Sequence, residues 1–170
     1  MRNNINLKKS LDKFGKAVVQ QSRTRLSKQK KNATKDLYNS LSFTPAKISN
    51  NGNIVSFSFE MLDYGKYIDK GVNGINKKYN APFSYTTKAP PPNVFKKWSK
   101  ARGIIPRDKT TGKFITHEAF GFIMSRHIFR NGQKPTNFFT KSFEQQFQKL
   151  PDEIVKAFGL DLDDFLDFTT

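Results

Sequence analysis

The pair Asn51-Gly52 constrains this chain more than any other feature, because it sits between two runs that can only be satisfied as paired strands. Asn-Gly supplies the positive backbone angles of a tight hairpin turn, so residues 43–49 and 53–60 are predicted to fold back on one another. In the second run Val55, Phe57 and Phe59 alternate with Ser56 and Ser58, which buries one face and wets the other. Pro45 has no N–H to give to a ladder, so the first run is expected at an edge or with a bulge.

Helices are expected to cover the phenylalanines of that hairpin. Leu7, Leu11, Phe14 and Val18 fall at steps of four, three and four, which predicts an amphipathic helix starting near Asn6. Beyond it Arg23, Arg25, Lys28, Lys30 and Lys31 surround a single apolar anchor, Leu26. The helix is predicted to continue there as a solvated or polyanion-facing rod, and these five bases are the candidate DNA- or partner-facing residues. Thr34 can cap a short helix over 35–41 that buries Leu37, Tyr38 and Leu41.

After the hairpin, 64–71 is dense in Tyr and Gly and reads as a short helical turn ended by Gly71, with Asn73 and Gly74 opening a loop. The Pro-rich stretch 76–92 is predicted to be extended loop. Pro92 opens a helix over 93–102, with Val94, Phe95 and Trp98 on one side and Gly103 as its stop. Residues 104–107 and 113–115 flank Asp108-Lys-Thr-Thr-Gly112, which predicts a second, exposed hairpin. Thr116 caps a helix running to Arg130, with Phe120, Ile123, Met124, His127 and Ile128 inward and Asn131-Gly132 as terminator. Phe139, Phe143, Phe147, Leu150, Ile154 and Phe158 then keep helical spacing for about five turns. Pro151 interrupts them, so a kink or a stop and restart is expected, with Asp152 and Glu153 at the new N-terminus.

These readings amount to an α+β fold: an N-terminal helix, a small antiparallel sheet built on a Phe-rich hairpin, and long C-terminal helices packed on it. A chain of 170 residues is expected to form one domain, 1–170, with an extended loop/helix/hairpin insertion over 76–115 and an acidic tail over 159–170. With 17 Phe, aromatic burial carries much of the core.

Charge narrows the function. Thirty Lys plus Arg face 14 Asp plus Glu, for a net of +16. The imbalance is partitioned: residues 151–170 hold one base and six acids, net −5, which leaves the first 150 with 29 bases against eight acids, net +21. Such a body suits both attraction to a polyanion and charge-complementary contact between copies. The bland alternative is charge that serves solubility alone.

Little points to catalysis. No Cys is present, which removes disulfides, thiolate zinc sites and a cysteine nucleophile together. His117 and His127 lie ten residues apart on one predicted helix, about 15 Å along it, too far to share a metal. His127 is expected as a half-buried core histidine. The acids Asp161, Asp163, Asp164 and Asp167 lack the glycine turn and terminal Glu of a calcium loop and read as a solvated face. Asp152, Glu153 and Lys156 superficially resemble a metal-dependent nuclease signature, but they follow one another along a helix rather than converging from neighbouring strands. Residues 71–74 lack the Gly-Lys-Ser/Thr ending of a phosphate loop. No cofactor, no metal site and no enzymatic activity are expected. The longest apolar run, 119–124, is far short of the roughly 20 residues a bilayer span needs, and the first ten residues hold no apolar core long enough for a signal peptide, so none is expected. A soluble, non-exported protein without membrane contact is therefore expected. For nucleic acid, charge is the positive signal, and charge encodes no base sequence. The aromatics beside bases in 64–67 and 95–98 could stack on single strands, but at their spacing such residues are more often core.

Two short elements carry a resemblance. Tyr64-Gly-Lys-Tyr67-Ile-Asp69-Lys-Gly71 is similar to a "Tyr-Ala-x-Tyr-Val-Glu-x-Gly" element, with Gly for Ala at 65 and Asp for Glu at 69. Gly132, Pro135 and Phe138 or Phe139 match a "Gly-x-x-Pro-x-x-Phe" element that opens a last helix. Together with the order helix, 34–41, hairpin and long C-terminal helix, the chain resembles the lambdoid-type tail-component, or head-to-tail joining, family of tailed bacteriophages. The likeness covers most of 6–158, with 76–115 as an enlarged variable loop. It implies a virion protein found in the host cytoplasm during assembly. Its copies would form a homo-oligomeric ring at the neck or tail end, beside portal, adaptor and tail proteins, with non-specific contact to double-stranded DNA in the lumen. It further implies Tyr64, Tyr67, Trp98, Arg107 and Phe114 as subunit-contact residues, and Pro135 and Thr136 as the start of the last helix. Two other classes stay open: a free basic nucleic-acid-binding phage accessory or regulator, and a small nuclease or toxin.

Overall fold

The computed structural model describes residues 2–31, 33–48 and 54–152. The fold is α+β, with six helices and four short strands among the described residues. Those residues fall into two compact units, one within 1–32, 36–65 and 137–170, the other within 33–35 and 66–136. A single domain with an insertion over 76–115 was the expectation; the second unit begins before that insertion and ends after it. The tail 159–170, the turn at Asn51-Gly52, and Ile154 and Phe158 lie outside the described residues, as do the side chains of Leu7 and Val55.

The first unit is built on aromatic burial. Helix α1 (Arg2–Lys28) buries Leu11, Phe14, Val18, Ser22 and Leu26, one residue per turn along a single stripe. Strands β1 (Ser42–Ile48) and β2 (Ile54–Glu60) pair antiparallel, Phe43 opposite Phe59 and Ser42 opposite Glu60, as the hairpin reading predicted. The register shifts between Thr44 and Lys47, around the proline that cannot donate. Phe57 and Phe59 share one face of β2 and meet Phe14 at ring-centroid distances of 6.0 and 6.1 Å. Helix α6 (Thr140–Phe147) adds Phe143, edge-on to Phe14 at 5.4 Å, while Phe139 closes on Phe59 at 5.3 Å. Phe138, Phe139 and Phe143 are all buried. Helix α2 (Asp36–Ser40) contributes Leu37, and Leu41 follows it into the core.

Two details of α6 differ from expectation. The helix begins at Thr140 rather than at Pro135-Thr136, because Asn137 holds a positive φ of 49° and the residues just before it, 134–136, are not helical. It also ends at Phe147, a turn short of Leu150: Gln148 to Leu150 form a turn ahead of Pro151, in keeping with the stop, one of the two readings expected there.

The second unit rests on backbone pairing and close helix contact. Helix α3 (Tyr64–Lys70) carries the chain into it and is ended by Gly71 at φ 78°, as predicted. Strands β3 (Val72–Asn73) and β4 (Phe83–Ser84) then pair in parallel. Val72, Asn73 and Gly74 are buried: Asn73 ends a strand, and the expected loop opens at Gly74. Helices α4 (Pro92–Ala101) and α5 (His117–Asn131) pack together where a Cβ on Gly121 would lie 2.6 Å from the Pro92 carbonyl oxygen. The Ser125 hydroxyl donates to the Pro90 carbonyl oxygen one turn further on, at 2.5 Å.

That approach rotates α5 from its predicted orientation. Its buried stripe is Gly121 and Ser125, while Ile123 and His127, expected inward, are exposed. Small residues at a spacing of four let two backbones meet, and the larger side chains are turned aside. On α4 the same packing leaves Val94 exposed and buries Ser99. The second predicted hairpin reduces to one bridge, Arg107 to Phe114, closed by a turn over 108–112. Among the described residues no helix is long and apolar enough to cross a membrane.

Candidate functional site

Residues of the two family-like elements come together within the second unit. Val72 and Gln133 exchange both backbone hydrogen bonds, at 2.9 and 2.7 Å. Thr136 donates its N–H toward the carbonyl oxygens of Ile68 and Asp69 and its hydroxyl to Ile68, the last at 2.7 Å. Gly132, with φ 69° and ψ −169°, occupies backbone space that side chains do not tolerate, and a Cβ there would strike the Val72 carbonyl and the Gly74 nitrogen. Asp69 is fully buried beside this seam. Gly132, Pro135 and Thr136 together let this segment lie against α3 and β3.

Asn73 organises the loop that leaves the lock. Its Oδ1 accepts from the backbone N–H of Tyr79 (2.7 Å) and Ala81 (3.3 Å), and its Nδ2 donates to Ala81 O (2.7 Å) and Ser84 Oγ (3.1 Å). One side chain thus gathers a turn, a strand and the segment between them. Asparagine followed by Gly hid this role, since the pair reads first as a turn.

The five candidate bases divide. Arg23 is committed to the fold of the first unit, donating from Nε to Tyr38 O (3.0 Å) and from Nη2 to Leu41 O (2.8 Å), with its guanidinium 5.2 Å from the Tyr38 ring centre. Arg25 donates to Gln145 Oε1 at 2.9 Å, tying α1 to α6. Lys28, Lys30 and Lys31 are exposed, and Lys30 turns the chain at φ 55°. Of the five, the exposed ones are therefore the three lysines, Lys28 in the last turn of α1 and Lys30 and Lys31 just beyond it.

Of the candidate contact residues, Tyr64 is 41 % exposed in the first unit. Partial burial raises its hydroxyl pKa above the ordinary value, the nearby Asp36 carboxylate adds to this, and a hydrogen bond with the Leu37 backbone opposes both. In the second unit Tyr67 is 40 % exposed and packs edge-on against Phe83 at 4.7 Å. Burial, with Tyr67 close by, likewise raises Tyr85. Phe114 is 66 % exposed and lies under the Arg107 guanidinium at 4.2 Å. Trp98 is half-buried and stacks on Phe120 with rings 7° from parallel, which makes it a packing residue of the α4–α5 pair.

Among the described residues one hydroxyl lies within hydrogen-bond reach of a histidine ring. Ser99 Oγ is 2.8 Å from His117 Nδ1, yet Ser99 is fully buried and also bonds the Lys96 carbonyl at 2.9 Å. The neighbouring Glu118 pairs with Lys96, which holds its carboxyl below the usual range. His127, expected half-buried, is exposed, and its Nδ1 accepts from Asn131 Nδ2. No group of three His, Cys, Asp or Glu among the described residues could hold a metal ion. Missed by sequence reasoning is the outward side of α5, where Phe122 and Ile123 stand exposed beside Arg126 and Arg130. The signal was there in Gly121 and Ser125, whose spacing marks the opposite side as the packed one.

Compared with protein-family models, curated proteins and solved structures, the chain matches none.

Proposed function

We propose that this chain is a structural virion protein of a tailed bacteriophage, a ring-forming neck or tail-completion subunit that joins portal to tail around the DNA channel. The observation that carries the reading is the lock at Gly71, Val72, Gln133 and Thr136. Two short family-like elements, far apart in sequence, meet as one hydrogen-bonded seam, so their likeness concerns a working piece of fold rather than scattered letters. Charge supports it: the first 150 residues carry net +21, and Lys28, Lys30 and Lys31 are exposed at the end of α1, where they would face DNA without reading its sequence. In this reading the subunit is not an enzyme, works in the virion, and passes through the host cytoplasm during assembly. Exposed Phe114, Arg107 and Tyr67 would meet neighbouring subunits or the portal, adaptor and tail proteins.

The test is the native particle. The subunit is expected among the proteins of purified virions, located at the neck or tail end by electron microscopy, and self-associated when purified. A chain that stays monomeric and never enters particles would sink the proposal. The exposed lysine run also favours a second reading, a free nucleic-acid-binding accessory protein. A steep salt slope together with clear sequence preference on short duplexes would select it over the first.

A further inference from the structure

The outward side of α5 combines two features that no single simple ligand uses. Phe122 and Ile123 are 60 % and 55 % exposed, an unusual cost for adjacent large apolar side chains in the middle of a helix. One and two turns on, Arg126 and Arg130 are exposed, and with Ile123, His127 and Asn131 they line an open groove of about 310 Å³. No carboxylate among the described residues pairs with either guanidinium, whereas Glu118 at the start of the helix is taken by Lys96. A phosphate backbone would satisfy the arginines and leave the Phe122 and Ile123 side chains wet. The matching partner is an acidic segment that also carries large apolar side chains.

This chain contains such a segment. At helical spacing, Phe158, Leu162, Phe165 and Leu166 share one side, and Asp161, Asp163, Asp164 and Asp167 flank it. It holds most of the acids that give residues 151–170 their net −5, against a body of +21. We infer that residues 158–167 of one copy dock on the α5 face of a neighbouring copy, Phe and Leu against Phe122 and Ile123, aspartates against Arg126 and Arg130. The contact is heterologous, with different surfaces on the two sides, and a repeated heterologous contact closes into a ring when its rotation allows. The inference rests on the ring reading for its second copy, and it names the contact that would hold the ring together.

Two full-length variants test it by sedimentation velocity. One carries Asp161→Asn, Asp163→Asn, Asp164→Asn and Asp167→Asn, and the other Arg126→Glu with Arg130→Glu. Both arginines are exposed, and far-UV circular dichroism checks that each variant folds. The unaltered chain is expected to self-associate, more tightly at low salt than at high. Each variant alone should associate at least roughly tenfold more weakly, the change that about 1.4 kcal/mol produces. Mixed together they should form a one-to-one dimer and stop there, because one supplies the intact face and the other the intact segment. Variants that associate like the unaltered chain overturn the docking and leave the ring reading standing. Weakened variants that form no mixed dimer overturn docking between copies and place the segment on its own chain. If the arginine variant loses duplex binding but assembles normally, the face belongs to phosphate and the inference fails. An unaltered chain that is monomeric at every concentration removes the ring reading as well.

Discussion

The two units of this chain are stabilised in opposite ways. In the first, large apolar side chains point inward: Phe14, Phe59, Phe139 and Phe143 touch one another from a helix, a strand and the start of a second helix. In the second, most buried positions are small or polar, Asp69, Gly71, Asn73, Gly74, Ser99, Gly121, Ser125 and Gly132 beside the apolar Val72 and Pro106, and large apolar side chains such as Ile105, Phe114, Phe122 and Ile123 stand outside. A unit of the first kind keeps its shape by burying its own aromatic side chains. One of the second kind keeps its shape by hydrogen bonds and close backbone contact, which releases its apolar side chains for contact with something else.

The largest expected effect breaks the first unit. Phe143→Ala empties a site that is 1 % exposed and ringed by Phe14, Phe59, Phe139 and Phe147. Truncating a buried phenylalanine costs about 3–5 kcal/mol. Urea unfolding followed through the far-UV signal of α1 should show that loss, and a loss under about 1 kcal/mol would remove aromatic burial as the support of this unit.

A smaller effect distinguishes the second. Asn73→Ala leaves the N–H groups of Tyr79 and Ala81 and the carbonyl of Ala81 without their partner, at about 1–3 kcal/mol for the buried part. Little apolar surface is lost, so the damage is local. Amide hydrogen exchange should quicken across 79–85 while β2 and α1 keep their protection. Uniform loss of protection along the whole chain would mean that Asn73 supports more than its loop.

The same contrast explains what could be read in advance. Periodicity reports apolar side chains that point inward, and the first unit is made of them. The hairpin, its disturbance at Pro45, the stripe of α1 and the Phe143 contacts all follow from spacing. In the second unit the helices were found through Thr116, Pro92 and Gly71, because caps and stops are local chemistry. Their orientation was not, since the rule that larger apolar residues face inward points α5 the wrong way when Gly121 sets the contact. Pairing of Val72 with Gln133 is also silent in sequence, being made by backbone atoms that every residue has. Of the candidate site residues, Arg23 and Arg25 show the limit most plainly: five bases in a row look alike until Tyr38, Leu41 and Gln145 claim two of them.

The smallest effect concerns the turn that presents Phe114. Asp108 Oδ1 accepts hydrogen bonds from the N–H of Thr110 and of Thr111, at 3.0 and 2.7 Å, and from the Thr111 hydroxyl at 2.9 Å. These bonds favour the charged carboxylate, the Thr111 N–H most, then the Thr111 hydroxyl, and they hold its pKa below the ordinary value against a slight opposing desolvation. A folded-state pKa below the unfolded one means that the stabilisation is in full force above the ordinary aspartate range. It is lost as pH falls through the depressed value. Nuclear magnetic resonance should therefore find the Asp108 carboxyl titrating lower than an ordinary aspartate, with the Thr111 amide shifting at the same midpoint. Asp108→Asn should abolish that shared transition and loosen the Arg107–Phe114 bridge, with global stability essentially unchanged, as for most surface positions. A midpoint at or above the ordinary value would mean that the turn owes its shape to Gly112 and the chain rather than to a carboxylate. The second unit would then hold its exposed phenylalanine in place by backbone alone.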